Sequence, residues 1–283
     1  IVVVLFNSFK KKSYINLEPF KLPDSTTFVG MENYTTAIDQ YGFLKAVGWT
    51  VFITVGSVLA ILICTSMCAW FITRVQNCFT KGIYLLCIFS MVVPFQMVMF
   101  TLSLVTDRLG LGTPWGLIII YLGFGAGLAV FMFCGFVKSI PIEIEEAALI
   151  DGCSPLRMFF SVVLPIMKPT YISVGILETM WIWNDFLLPY LTLDIKKYKT
   201  ISIVIQYMKG SYGRVDMGAI MAALIMAVIP VVVFYLSCQK YIIKGVAAGA
   251  VNQKLAVDVY GNMVYLHPAL AFARSAAFGV SAI

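Results

Sequence analysis

Charged residues and histidine are scarce in this sequence. Asp, Glu, Lys and Arg together account for 12% of its 283 residues, and His267 is the only histidine. A single histidine cannot build a His-based catalytic triad or metal cluster, so two common kinds of enzyme site are excluded. The cysteines lie mostly within apolar segments, where a thiol behaves as a small hydrophobic group, and they indicate neither a disulfide framework nor a metal site.

Two binding signatures are also missing. The sequence contains no Gly-x-x-x-x-Gly-Lys-Ser/Thr, the loop that cradles nucleotide phosphates, so any ATP hydrolysis has to come from a partner. The run Gly123-x-Gly125-x-Gly127 is not such a loop, because no Lys-Ser/Thr follows it. Small residues at this spacing instead predict close packing between membrane helices. The net charge of +6 is spread over many short loops, which gives no indication of nucleic-acid binding.

Apolar residues, by contrast, are abundant. Hydrophobic residues make up 60% of the chain and the mean hydropathy is +0.91, so we expect an all-α polytopic protein embedded in the lipid bilayer. Stretches long enough to cross the bilayer lie at 46–73, 83–105, 114–137, 170–192 and 217–239. The short run Ile1–Phe6 is expected to be the end of a truncated first span, which gives a bundle of six transmembrane helices. Lys and Arg are divided almost evenly between the two sides, so the positive-inside rule does not decide the orientation.

A polar, bent segment at 138–169 interrupts these stretches, and it predicts an elbow of two short helices. Pro141 suits a first helical turn, where the N–H it lacks is not needed. Glu143, Glu145 and Glu146 follow it, at the end of a helix where the dipole favours negative charge. A short helix should therefore begin here.

The second arm of the elbow is predicted from the residues that follow. Asp151-Gly152 can adopt a left-handed turn, and Ser154-Pro155 is a cap followed by a first-turn proline, so a second helix should run to Pro165. Ala147 and Ala148 should leave a shallow surface that another backbone can approach. The apolar side chains expected to stand out beside this surface are Leu156, Met158 and Phe159.

The spacing within this elbow carries a family resemblance. Glu146-Ala147-Ala148 is followed after three residues by Gly152, and after nine more by Val162-x-Leu164-Pro165. This pattern resembles the EAA loop of ABC importer permeases, whose coupling helix sits in a groove of the ATPase subunit. The residues that the resemblance assigns to ATPase coupling are Glu146, Ala147, Ala148, Asp151, Gly152, Leu156, Phe159, Leu164 and Pro165. The alternative is a hairpin that merely connects two spans.

Two further segments extend the resemblance. Trp183-Asn-Asp-Phe-Leu-Leu-Pro189 is similar to a segment of maltose-type carbohydrate importer permeases, and the stretch from Lys244 to Val251 is similar to the terminus of the smaller permease subunit of that type. The resemblance implies a type I ABC importer permease fold over residues 1–251. It also implies that 74–82, 138–169 and 240–283 are cytoplasmic, and that Gly245, Gly249 and Ala250 contact the ATPase subunits. Residues 252–283 form a tail without a family pattern.

The same resemblance implies the partners and the location. We expect a dimer of ABC ATPase subunits that binds the ATP, a second homologous permease, and an extracellular or periplasmic solute-binding protein. The chain itself is expected to hold no cofactor. The expected location is the bacterial cell membrane, the inner or cytoplasmic membrane, which the chain crosses several times.

Two acids lie inside the fifth predicted stretch. Glu178 and Asp185 are seven residues apart, on one face of a helix, with Trp181 between them and Asn184 beside them. Ionisable side chains at membrane depth are costly, and the complete predicted spans contain no Lys or Arg to pair with them. These residues are predicted either to line a sugar pathway or to hold helices together as a polar cluster.

The sequence therefore predicts a permease subunit that imports a sugar or oligosaccharide by alternating access. An importer of another solute, such as glycerol phosphate, a peptide or an ion, is the nearest alternative. An intramembrane enzyme is a weaker one, because it needs a nucleophile and a base at membrane depth, and the two acids have no His or Lys beside them.

Overall fold

The computed structural model describes residues 1–210 and 215–260, with side chains as far as Gln239. The regular structure in these ranges is helical, and the one isolated β-bridge found there joins Lys10 to Phe28. The α-helices are α1 (Val2–Asn7), α2 (Lys12–Leu17), α3 (Glu32–Asp39), α4 (Phe43–Arg74), α5 (Cys78–Val92), α6 (Phe95–Leu109), α7 (Pro114–Val137), α8 (Ile142–Ile150), α9 (Pro155–Met158), α10 (Leu164–Ile166), α11 (Lys168–Asn184), α12 (Leu187–Thr192), α13 (Ile201–Met208) and α14 (Met217–Tyr260). A π-helical segment, Phe159–Val163, joins α9 to α10. The predicted all-α class is confirmed.

The chain divides into two units, Ile1–Tyr241 and Ile242–Ile283. The first contains the helices from α1 to α13 and most of the apolar part of α14. The second is described only through the helical backbone that ends at Tyr260. The predicted tail at 252–283 lies mostly outside the described residues.

Three of the described helices are long and apolar enough to cross a membrane alone: Phe43–Arg74, Pro114–Val137 and Met217–Gln239. Two bent pairs, Cys78–Val92 with Phe95–Leu109 and Pro155–Ile166 with Lys168–Asn184, are long and apolar enough when each pair is taken together. Up to five crossings are therefore present if each pair is one span. Proline has different effects in these helices. Pro230 lies inside α14 without ending it, whereas the helix that precedes Pro94 stops.

The predicted span at 83–105 is not one continuous helix. It is divided at Val93-Pro94 into α5 and α6, which are bent by 106°. Pro94 has no N–H to continue the helix, and its ring disfavours helical backbone at the preceding residue, so Val93 is extended with ψ 115°. The stretch predicted as a single span therefore has a break at Pro94.

The stretch at 170–192 is also divided. Helix α11 ends at Asn184, Asp185 is extended with ψ 131°, and α12 follows at Leu187. Oδ1 of Asp185 accepts hydrogen bonds from the backbone N–H groups of Leu187 (3.1 Å) and Leu188 (3.4 Å), so this side chain caps the second helix. Asp185, which was expected to lie on the face of a continuous helix, therefore lies in the break between α11 and α12.

The core is built on close packing of α4, α5 and α7. A Cβ atom at Gly125 would lie 2.6 Å from Cδ1 of Ile61 on α4, and one at Gly127 would lie 2.7 Å from the carbonyl oxygen of Cys87 on α5. A Cβ atom at Gly123 would meet no atom of another element within 4 Å. The prediction of close helix packing is confirmed at Gly125 and Gly127 but not at Gly123.

The segment before α4 is packed rather than open. Lys10 is buried and donates a hydrogen bond from Nζ to the carbonyl oxygen of Glu18 at 2.8 Å. The side-chain amide of Asn33 donates to the carbonyl oxygens of Ser8 and Lys10, and its Oδ1 lies against Gly218 at the start of α14. This segment is thereby fixed against the first unit's helices.

Candidate functional site

The predicted elbow between α7 and α11 is present. Helix α8 follows Pro141, and Gly152 makes the turn with φ +77°, a backbone conformation that L side chains rarely adopt. Ser154 caps the next helix by accepting a hydrogen bond from the N–H of Arg157 at 3.4 Å, and Pro155 occupies its first position. The turn residues and the cap therefore lie where the sequence predicted them.

The second arm contains a feature that the sequence did not reveal. It starts as a short α-helix at Pro155, widens into π-helix over Phe159–Val163, and returns to α-helix at Leu164. Pro165 contributes to this widening, because it cannot donate the i→i−4 hydrogen bond that an α-helix needs at this position. Helix continues to Ile166, one residue beyond the predicted end.

Most of the residues that the resemblance assigns to ATPase coupling lie at the surface of this chain. Glu146, Ala147, Asp151, Gly152, Leu156 and Pro165 are exposed, and Leu164 is partly buried. Ile150, which the sequence analysis did not select, is 86% exposed and adds an apolar side chain next to the turn. The exposed residues of the elbow are therefore a mixture of small, acidic and aliphatic residues.

Three residues that were expected at the surface of the elbow point inward instead. Met158 and Phe159 are buried, so the prediction that they stand out as apolar knobs is wrong. Phe159 packs against Trp70 of α4, with 5.6 Å between the ring centroids, and Phe160 takes the exposed position next to it. Ala148 is also largely buried. These side chains hold the elbow on the helix bundle.

The strongest polar contact of the elbow is made by Glu145, which the sequence analysis placed only in the field of the helix dipole. Its Oε1 accepts hydrogen bonds from Arg74 Nη2 (2.7 Å) and Nε (2.9 Å), and its Oε2 accepts one from Trp70 Nε1 (2.9 Å). Arg74 Nη2 also donates to the carbonyl oxygen of Ile140 at 2.9 Å. Arg74 and Glu145 are 71 residues apart in the sequence, so no local spacing predicts their contact.

The acids of the fifth predicted stretch do not share one face. Glu178 is buried against Gly125, and its Oε2 has no hydrogen-bond partner among the described residues. Asp185 lies beyond the end of α11 and accepts a hydrogen bond from the hydroxyl of buried Tyr121 at 2.9 Å. The face predicted from a seven-residue spacing is therefore interrupted, because the helix ends before its second acid.

Trp181 and Asn184 are more exposed than these two acids. Trp181 is 41% exposed, and its ring meets that of Tyr121 edge-on, with 5.4 Å between the centroids. Asn184 is exposed and donates a hydrogen bond to the carbonyl oxygen of Met180. Tyr121 thus contacts both Trp181 and Asp185, so this buried residue links the exposed Trp181 ring to the Asp185 carboxylate.

The remaining predicted contacts cannot be placed in the same way. Gly245, Gly249 and Ala250 fall within the backbone of α14 but beyond the residues whose side chains are described. In the described part of the chain, no group of three or more His, Cys, Asp or Glu residues is arranged to hold a metal ion.

Comparison with known proteins decides the family. Residues 61–248 match the model of a family described as the binding-protein-dependent transport system inner membrane component. The chain belongs to this family. The predicted resemblance to ABC importer permeases is thereby confirmed, and the chain is a multi-pass transport subunit rather than an enzyme.

Individual relatives match over most of their length. The chain is 38% identical to the probable starch degradation products transport system permease protein AmyC of Thermoanaerobacterium thermosulfurigenes, over 89% of this chain and 90% of that protein. It is 33% identical to the multiple sugar-binding transport system permease protein MsmG of Streptococcus mutans, over 89% of this chain and 91% of that one. It is 32% identical to the diacetylchitobiose uptake system permease protein NgcG of Streptomyces coelicolor, over 88% and 81%.

A solved structure supports the fold independently. The chain resembles a chain of a bacterial ABC transporter that imports the acidic polysaccharide alginate, with a TM-score of 0.69 and 20% identity. The match covers 85% of this chain and 89% of that one. At this identity the likeness concerns the fold, and it agrees with the predicted type I permease architecture.

Proposed function

We propose that the chain is the transmembrane permease subunit of a binding-protein-dependent ABC importer, located in a bacterial inner membrane, that moves a sugar or oligosaccharide inward. The observation that carries the substrate class is the near full-length similarity to permeases named for starch degradation products, multiple sugars and diacetylchitobiose. These sugars differ, so the similarity supports a carbohydrate without selecting one.

The elbow supplies the contact with the partner that hydrolyses ATP. Its exposed residues around Glu146, Gly152 and Leu156 are accessible to a groove in an ATPase subunit. Closure of an ATPase dimer then moves the elbow, and the spans change from inward-facing to outward-facing. A second permease completes the pathway, and an external solute-binding protein delivers the sugar. ATP is bound by the partner.

The route past this chain follows Trp181 and Asn184. An exposed aromatic face and an amide suit the apolar ring surfaces and the hydroxyl groups of a sugar. Glu178 and Asp185, which the sequence analysis placed on the same route, here support it from within the bundle, Asp185 by capping α12 and by holding Tyr121 beneath Trp181.

Reconstitution tests the function. The chain would be placed in proteoliposomes with its ATPase, second permease and solute-binding protein, and uptake of radiolabelled maltotriose, raffinose, diacetylchitobiose, glycerol 3-phosphate and a dipeptide would be compared. ATP-dependent uptake of at least one sugar, lost when the binding protein is omitted, is expected. Uptake of glycerol 3-phosphate or the dipeptide, with none of any sugar, would overturn the proposal.

A further inference from the structure

Helix α8 has few attachments to the membrane part of the chain. Its buried residues are Glu145 and Ala148, while the rest of its surface is exposed or partly exposed. It is followed by the left-handed turn at Gly152, which has open space around it. Apart from the covalent backbone, only the contacts of these two buried residues can therefore transmit a displacement of α8 by a docked ATPase to the spans.

The Glu145 carboxylate forms the polar part of this attachment. Its side chain is 7% exposed, and that of Arg74 is 18% exposed. Both carboxylate oxygens accept hydrogen bonds from α4, one from Arg74 and the other from Trp70, which lies one helical turn earlier. Because the donors belong to one rigid helix, the position of Glu145 is fixed relative to α4.

The same two α4 residues reach the neighbouring parts of the elbow. Arg74 Nη2 bonds to the carbonyl oxygen of Ile140, directly before Pro141, as well as to Glu145 after it. Trp70 bonds to Glu145 in the first arm and packs against Phe159 in the second. The last turn of α4 thereby contacts both arms of the elbow.

We propose that Arg74, Glu145 and Trp70 are positioning residues that transmit the movement of the elbow into helix α4. This inference rests on the proposed transport function. Helix α4 extends from Phe43 to Arg74 and packs along α7, so a shift at its last turn displaces one wall of the bundle along its length. The residues act through α4 and need no contact with the ATPase or the sugar.

The test replaces the ion pair while keeping its shape. In the reconstituted complex, Glu145→Gln is expected to assemble and hydrolyse ATP as the unmodified chain does, while the amount of labelled sugar taken up per ATP hydrolysed falls about tenfold. The amide of glutamine has one accepting oxygen and one donating NH₂ group. The NH₂ group faces either the Arg74 donors or the Trp70 donor, so the hydrogen bonds on that side are lost. Glu143→Gln is the matched control, because Glu143 is exposed on the same helix, and it should keep the ratio.

Two further variants separate coupling from stability. Arg74→Glu combined with Glu145→Arg should recover part of the uptake ratio lost in each single variant, because the ion pair is restored in reverse. Trp70→Phe keeps the ring against Phe159 but removes the indole donor, and it should give an intermediate ratio. If uptake and ATP hydrolysis fall in proportion in Glu145→Gln, or if its ratio equals that of the unmodified chain, the inference is wrong.

A measurement without sugar distinguishes this inference from the proposed function. Spin labels at Lys45→Cys, at the start of α4, and at Arg108→Cys, in the last turn of α6, report the position of α4 relative to α6 in a cysteine-free background. Vanadate trapping should change the distance between the labels, and Glu145→Gln should abolish that change. If this holds although no sugar is transported, the proposed substrate fails and the coupling role stands. If the change persists in Glu145→Gln, the coupling role fails.

Discussion

Glycine at position 125 is required by a single close approach in the core. A Cβ atom there would lie 2.6 Å from Cδ1 of Ile61 and 2.9 Å from Oε2 of Glu178, and all these groups are buried. Gly125→Ala is therefore expected to destabilise the purified complex by about 1–3 kcal/mol through overpacking.

Gly123→Ala is the matched control, since nothing lies within 4 Å of its Cβ position and an alanine in a helix interior should stabilise slightly, by about 0.5–1 kcal/mol. Thermal unfolding followed by tryptophan fluorescence compares the two variants. A lower melting temperature for Gly123→Ala than for Gly125→Ala would contradict this account of the core.

The side chains of α11 are expected to differ in their access to water. Trp181 and Asn184 are exposed, whereas Glu178 is buried between α4 and α7. Single cysteines at 181 and 184, in a background without other cysteines, should react with a water-soluble thiol reagent in at least one of the nucleotide-free and ATP-trapped states. A cysteine at 178 should be protected in both.

Lipid exposure rather than water exposure is the competing explanation for Trp181 and Asn184. It predicts that cysteines at 181 and 184 react only with a membrane-permeant reagent. Complete protection of both positions from the water-soluble reagent, in both states, would remove α11 from the sugar route.

At the scale of elements, the elbow depends on one backbone conformation. Gly152 has φ +77°, which proline cannot adopt because its ring fixes φ at about −65°. Gly152→Pro should therefore redirect the second arm and lower sugar uptake by at least about tenfold while the complex still assembles, a loss of roughly 1.4 kcal/mol in coupling. Uptake and ATP hydrolysis in proteoliposomes provide the measurement.

Asparagine is the informative control at this position. It adopts left-handed backbone more readily than other residues with a side chain, and a Cβ at Gly152 meets open space. Gly152→Asn should therefore retain most of the uptake. Equal uptake by Gly152→Pro and the unmodified chain would show that the turn has no role in coupling.

Local signals explain which elements could be predicted from the sequence. The elbow follows from Pro141, Gly152 and Ser154-Pro155, each of which acts on its own backbone, and the close packing follows from small residues on α7. The break at Asp185 depends on its side chain, which accepts a hydrogen bond from the backbone N–H of Leu187 and does not lie on the face of a continuous helix. Hydropathy cannot reveal that choice.

Long-range contacts explain what could not be predicted. Arg74 ends an apolar stretch, as basic residues at membrane boundaries commonly do, and nothing local relates it to Glu145. The sequence predicts Phe159 at the surface because nothing in it indicates that Trp70 packs against the Phe159 ring. The π-helical segment Phe159–Val163 was not predicted either, because a proline near the end of a helix indicates a lost hydrogen bond but not which helical form the preceding residues adopt.

At the scale of the whole molecule, α5 and α6 leave much of their surface uncovered. Thr80 is the buried residue of α5, and Thr106 that of α6. The large apolar side chains exposed on these helices include Leu85, Leu86, Phe89, Val92, Met97, Phe100 and Leu104. Lipid can cover apolar side chains, but it cannot satisfy backbone groups where a helix is broken, and the break at Val93-Pro94 lies in the middle of this surface.

A second permease would cover that break with protein. We therefore expect the chain expressed alone to aggregate in detergent and to bind no ATP, whereas co-expression with the second permease should give a monodisperse complex. Size-exclusion chromatography measures assembly, and fluorescence of an ATP analogue measures nucleotide binding. Because a break exposed to lipid costs several kcal/mol per unsatisfied backbone group, the difference in yield should be large. A stable homodimer of this chain with full transport activity would show that a second copy covers the break, and the expectation of a heterologous partner would then be wrong.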